Sequence, residues 1–139
     1  GLHFSPQIRM ERTSQFQLHV ALTVTNISSQ TLRLDFGACA LRLNVYPGSK
    51  ASGSPLWRSE EWHDFRTGAP YACPDYLLTK SLRPGESFLA PEFEAHVPVI
   101  DILGTTLSAG RYTVTARLDL NNRQTSEIEA GEVLLSNDP

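Results

Sequence analysis

In the stretch FQLHVALTVTN, Phe16, Leu18, Val20, Leu22 and Val24 occupy alternate positions, and Gln17, His19, Ala21, Thr23 and Thr25 fill the gaps. Strand side chains alternate between faces, so this pattern predicts a strand with one buried side. The period of two returns in LRLDF (Leu32, Leu34, Phe36) until Gly37 interrupts it, and again in CALRLNVY. There Cys39, Leu41, Leu43 and Val45 share a face, which points Cys39 toward the core. SFLAPEFEAHV continues the series, and its Pro91 must kink the strand or lie at an edge, since proline has no N–H to donate. In RYTVTARLDL, Tyr112, Val114, Ala116, Leu118 and Leu120 are expected inward, with Arg111, Thr113, Thr115, Arg117 and Asp119 outward. SEIEAGEVLL closes the set, with a bulge expected at Gly131.

The intervals read as turns. NISSQT and PGSKASGSP are polar connections, and only VIDILGTTL suggests a short helical turn, set between two strands. In LRPGE, Pro84 fixes φ and Gly85 supplies a positive φ, the requirement of a type II turn. In LSAGRY, Gly110 stands two residues before the inward Tyr112 at a strand start. That is the arrangement of a tyrosine corner, whose phenol bonds back to upstream backbone. About seven to eight strands of this kind, with no repeat and no linker, predict one all-β domain over residues 1–139.

VTNIS, LRLDF, LRLNVY, PLWRS, Phe65, LRPGE and LSAGRYTV follow one another in the order found in BsuPI-type domains. The chain resembles that family, named for an intracellular proteinase inhibitor, over roughly residues 16 to 120. The resemblance implies an immunoglobulin-like antiparallel β-sandwich without catalytic residues, a bacterial source, and a proteinase-binding role. It places Trp57 and Phe65 in the sandwich core. Three departures stand out: the cysteines are extra, residues 62 to 81 are expanded, and Ala109 replaces a proline. The matching positions are turns and core, so they carry the scaffold across more directly than the activity.

Composition narrows the function classes. Twelve Lys and Arg against 15 Asp and Glu give a net charge of -3, and no basic run marks a nucleic-acid surface. No apolar run approaches the roughly 18 to 20 residues of a transmembrane helix. The N-terminus carries neither an initiator Met nor a signal-peptide core, and reads as a trimmed or mature chain. The two cysteines, Cys39 and Cys73, suit a single disulfide that would stabilise by roughly 3 to 4 kcal/mol. The alternative is two buried free thiols. A bond would favour a secreted, periplasmic or cell-envelope location, and its absence a cytoplasmic one.

Catalytic and metal chemistry find no motif. His3, His19, His63 and His96 are scattered without metal-ligand spacing, and His19 and His96 read as surface residues of strands. The nucleophile-elbow, phosphate-loop and dinucleotide fingerprints are missing, and no cofactor is implied. A Cys73–His63 pair is better read as structural. The sequon at Asn26 reads as a turn.

The densest unexplained signal is WHDFRTGAPYACP, residues 62 to 74. Trp62, His63, Arg66, Tyr71 and Tyr76 lie where no alternation dictates burial, and aromatics with arginine are enriched at binding surfaces. They could equally pack the loop onto the sandwich. Pro70, Pro74 and Cys73 would stiffen it, which lowers the entropy lost on binding. Three functions follow: a non-catalytic protein-binding module, a proteinase inhibitor with Arg66 entering the protease pocket, or a carbohydrate-binding module stacking sugars on Trp62, Tyr71 and Tyr76. The protein partner, a protease or another, and the oligomeric state are left open.

Overall fold

The computed structural model describes residues 1–12, 14–121 and 123–136, with residues 91–95 described by backbone alone. Its elements are β1 (Leu2–Arg12), β2 (Phe16–Asn26), β3 (Leu32–Gly37), β4 (Leu41–Pro47), β5 (Trp57–Arg58), β6 (Leu77–Leu82), β7 (Ser87–Pro98), α1 (Val99–Leu103), β8 (Gly110–Leu120), β9 (Arg123–Gln124) and β10 (Ile128–Leu135). One sheet has the order β1-β2-β7, a second the order β10-β8-β4-β5 with β9 beside β8, and β3 pairs with β6. Every pairing is antiparallel.

The alternation explains the layers. Leu18, Val20, Leu22 and Val24 of β2 meet Leu41, Leu43 and Val45 of β4 and Val114, Ala116 and Leu118 of β8 in one buried cluster. Each of these residues points from its own sheet into the space between the two, while its neighbours in sequence point the other way. The fold is an all-β sandwich.

The turn expectations hold. The N–H of Glu86 donates to the carbonyl of Arg83 at 3.0 Å, closing a turn in which Gly85 has φ 83°. The Tyr112 hydroxyl donates to the Ser108 carbonyl, so the corner bond lands one residue beyond Leu107. Asn26 is wholly buried, and its side-chain amide donates to the carbonyls of Gln30 and Leu82, 2.8 Å each. Its Oδ1 accepts from the Ser28 N–H and hydroxyl, so the sequon asparagine is a turn anchor with no free amide to modify. Gly131 sits at the register shift of β10 with φ 148°, and a Cβ there would lie 3.3 Å from Ile8 Cγ2. The expected bulge is present.

Other expectations need correction. The pattern marked no strand in residues 2–12, yet β1 pairs with β2 along its full length, Leu2 opposite Asn26 to Arg12 opposite Phe16. It is an edge strand that tolerates Pro6, and its Leu2, Phe4, Ile8 and Met10 alternate with polar residues and pack against the core. The expanded segment 62–81 is not all loop, because its last residues form β6 against β3. His19 is buried at 5% exposure between its neighbours on the flanking strands β1 and β7, its ring 3.9 Å from that of His96. Phe65, expected in the core, is 40% exposed, whereas Trp57 is buried as expected. Thr113 and Thr115 face away from the core but are buried, at 0% and 2%. The Thr113 hydroxyl donates to the Gly48 carbonyl at 2.8 Å, and Thr115 donates to Glu127. β7 is an edge strand whose pairing with β2 shifts register between Val20 and Leu22. Pro91 falls within that interval, and the course of its side chain lies outside the described residues.

Candidate functional site: the groove beneath the 62–76 loop

Trp62 follows the one-turn 3-10 helix Ser59–Glu61 and begins a miniature hairpin. The Tyr71 N–H donates to the Trp62 carbonyl and the Asp64 N–H to the Ala69 carbonyl, 2.8 Å each, with His63 bridging Pro70. The apex turns on Asp64, whose Oδ1 accepts the N–H groups of Arg66 and Thr67 at 2.8 and 2.9 Å. Those bonds, with Thr67 first, hold the Asp64 carboxyl below its ordinary range. Gly68, at φ 71°, completes the turn by donating to the Asp64 carbonyl at 2.8 Å. Aspartate and glycine at these spacings are what a side-chain-closed turn requires.

Three anchors fix this hairpin to the sandwich. Trp62 stacks on Tyr71 with centroids 4.0 Å apart and meets the core residue Trp57 edge-on at 6.3 Å. Asp101 of α1 accepts the Trp62 indole N–H at 2.9 Å on one oxygen and the Phe65 N–H at 3.0 Å on the other. A disulfide joins Cys39 to Cys73, with Cα atoms 5.9 Å apart. It is not a core bond as the parity of Cys39 suggested. Cys39 is half-buried in the turn before β4 and Cys73 is exposed, so the bond forms part of the surface.

Beneath the hairpin opens a groove of about 970 Å³. Leu41, Arg42 and Leu43 line one side, and His96, Val97 and Pro98 line another. Successive strand residues point to opposite faces, so three consecutive residues can line one groove only if it runs along the strand edge. The groove is therefore the seam between the two sheets, roofed by the loop. Trp62, Tyr71 and Tyr76 border it together with the disulfide.

The structure thus gathers Trp62, Tyr71 and Tyr76 at one place and leaves His63 and Arg66 off it. His63 is exposed, its Nδ1 2.6 Å from the Glu61 carbonyl. Arg66 is exposed at the hairpin apex. Trp62 is half-buried between two rings, so it packs the loop down while Tyr71, 49% exposed, presents a free surface. Asp101 and the two strand edges escaped the sequence reading. Asp101 lies 39 positions from Trp62, and nothing local to either residue signals the contact.

Among the described residues, no three of His, Cys, Asp or Glu are grouped to hold a metal ion, and no helix is long and apolar enough to cross a membrane. No family model matches the chain, and no curated protein matches it. Its fold is similar to part of a β-glucosidase from Erythrobacter marinus, at 16% identity and TM-score 0.44 over 93% of this chain. It is likewise similar to part of β-glucosidase 3B from Thermotoga neapolitana, solved with α-D-glucose, at 12% identity and TM-score 0.43 over 96% of this chain. The chain spans only 15% and 17% of those two proteins.

Proposed function

We propose that the protein is a non-catalytic binding module that engages a protein partner at the groove beneath the 62–76 loop. The observation that carries this reading is a loop ordered in advance. Its apex is closed by Asp64, its base is clamped by Asp101 and the disulfide, and Tyr71 stays half-exposed over an open groove. Pre-ordering removes an entropy cost that a mobile loop would meet on binding. Concave, largely apolar sites with a few placed polar groups are where ligands bind. An exposed disulfide suits an oxidising compartment.

The inhibitor reading, implied by the resemblance to BsuPI-type domains, draws on the exposed Arg66 at the apex. It locates function at the apex, whereas the groove reading locates it at Tyr71. Capture of partners from an extract of the source cells separates the two, using wild type beside Tyr71→Ala and Arg66→Ala, each first shown to be folded. The groove reading expects a partner held by wild type and Arg66→Ala and lost by Tyr71→Ala. Loss with Arg66→Ala alone, together with loss of protection of a protease substrate, supports the inhibitor reading. A sugar-binding role would show as changes in tryptophan emission on adding oligosaccharides, reported by the Trp62–Tyr71 stack.

A further inference from the structure

We infer that the groove takes its partner as an extended peptide that adds a strand to the open edge of β4. This rests on the groove reading above and specifies the partner's chemistry.

The pairing of β5 with β4 covers only Asn44 and Val45, opposite Arg58 and Trp57. The next residues of β4, Leu41 to Leu43, continue their ladder with β8 on one side, while among the described residues no strand pairs their other side. Two hydrogen bonds show which backbone groups face that side. Leu43 N–H donates to Ser59 Oγ at 2.9 Å, and the Val45 carbonyl accepts from Leu56 N–H at 2.8 Å. The odd-numbered residues therefore turn their backbone away from β8. By the same parity, the N–H and carbonyl of Leu41 face the groove, whereas Leu43 lies beside Ser59 where the β5 pairing ends. A donor and an acceptor on Leu41, just beyond the point where the β5 pairing stops, are a template for a short extended segment.

The surroundings select its side chains. Tyr71, Tyr76, Pro70 and Pro74 border the groove and would take apolar or aromatic side chains. The charged side chains lining the groove are Asp64 and Asp101 against Arg42, a balance of one negative charge, and hydrogen bonds hold the Asp64 carboxyl below its ordinary range. This charge complements a lysine or arginine in the peptide. The occupant is an extended segment of a partner protein in which apolar residues alternate with a basic one.

The test begins with random heptapeptides displayed on phage and selected on the intact, oxidised protein. A synthetic copy of a selected peptide is then measured by fluorescence anisotropy, with single N-methyl groups placed along its backbone. Strand addition expects weakening of about tenfold or more at the one position whose N–H meets the Leu41 carbonyl, and little change at its neighbours. Binding should also be lost with Tyr71→Ala. Peptides that need Tyr71 but ignore N-methylation would overturn strand addition and leave the groove reading standing. Failure to select any peptide that Tyr71→Ala weakens overturns the inference, as does a response to soluble oligosaccharides alone. The groove reading itself is judged separately by the differential capture of partners.

Discussion

The indole N–H of Trp62 donates to Asp101 Oδ2 at 2.9 Å, tying the hairpin that roofs the groove to the short helix α1 at the end of β7. The other oxygen of the same carboxylate takes the Phe65 N–H at 3.0 Å. One side chain therefore fixes both the ring that packs the loop and the start of its apex.

Asp101→Ala should release this clamp. Two charge-assisted bonds are lost, partly exposed, and a stability loss of about 1–3 kcal/mol is expected in chemical denaturation. Trp62 would gain solvent, so tryptophan emission should shift to the red. Asp101→Asn keeps an acceptor for one donor and should fall between the two proteins.

Tyr112→Phe removes the hydroxyl that donates to the Ser108 carbonyl from a ring only 6% exposed. The expected loss is roughly 0.5–1.5 kcal/mol, read from urea unfolding, with partner binding unchanged. A neutral substitution would show that the corner bond contributes nothing to stability.

Glu127 reaches over β4 and β8 so that one carboxylate oxygen accepts from Asn44 at 3.0 Å, Tyr46 at 2.6 Å and Thr115. Burial pushes its pKa up, but the Thr115, Tyr46 and Asn44 bonds outweigh this and hold it below the ordinary 4.5. A carboxyl depressed by folding stabilises above its unfolded pKa, and that contribution fades as pH falls through the lower folded value. Thermal unfolding should therefore show stability declining below about pH 4.5, and Glu127→Gln should flatten that acid limb. The same burial raises the Tyr46 hydroxyl, with Glu127 adding to the effect.

Replacing Cys39 and Cys73 together by serine, or reducing the bond, should cost roughly 3 to 4 kcal/mol, since the bond closes a loop across 34 positions. Intact mass under denaturing, non-reducing conditions should show no alkylatable thiol in protein made under oxidising conditions. Limited proteolysis should then cut the reduced protein within residues 62–76 faster than the oxidised protein.

The strands β2, β4, β8 and β10 were legible because each has one side pressed into the core, and burial writes a period of two into the residues. The turn at Pro84-Gly85, the corner at Tyr112 and the bulge at Gly131 were legible because each needs a particular backbone conformation from a particular residue type. β1 alternates too, with Leu2, Phe4, Ile8 and Met10 packed against the core and His3, Ser5, Gln7 and Arg9 between them, but Pro6 in the middle of that pattern hid it, because proline is tolerated in a strand only at an edge. His19 sits on the outward parity that the pattern assigned it. Its burial comes from β1 on one side and His96 on the other, and the residues of β2 carry no record of those neighbours.

The candidate site divides along the same line. Sequence alone singled out Trp62, Tyr71, Tyr76 and the two cysteines, because large aromatics, prolines and a cysteine crowd a stretch with no strand period. Only tertiary structure decided that Trp62 is a packing ring, that Arg66 stands off the groove at an apex, and that Asp101 is the clamp. It also decided where the groove lies, since a seam between two sheets is made of strand edges. Side-chain alternation reports the faces of a strand and is silent about its edges, whose backbone groups are the same in every sequence.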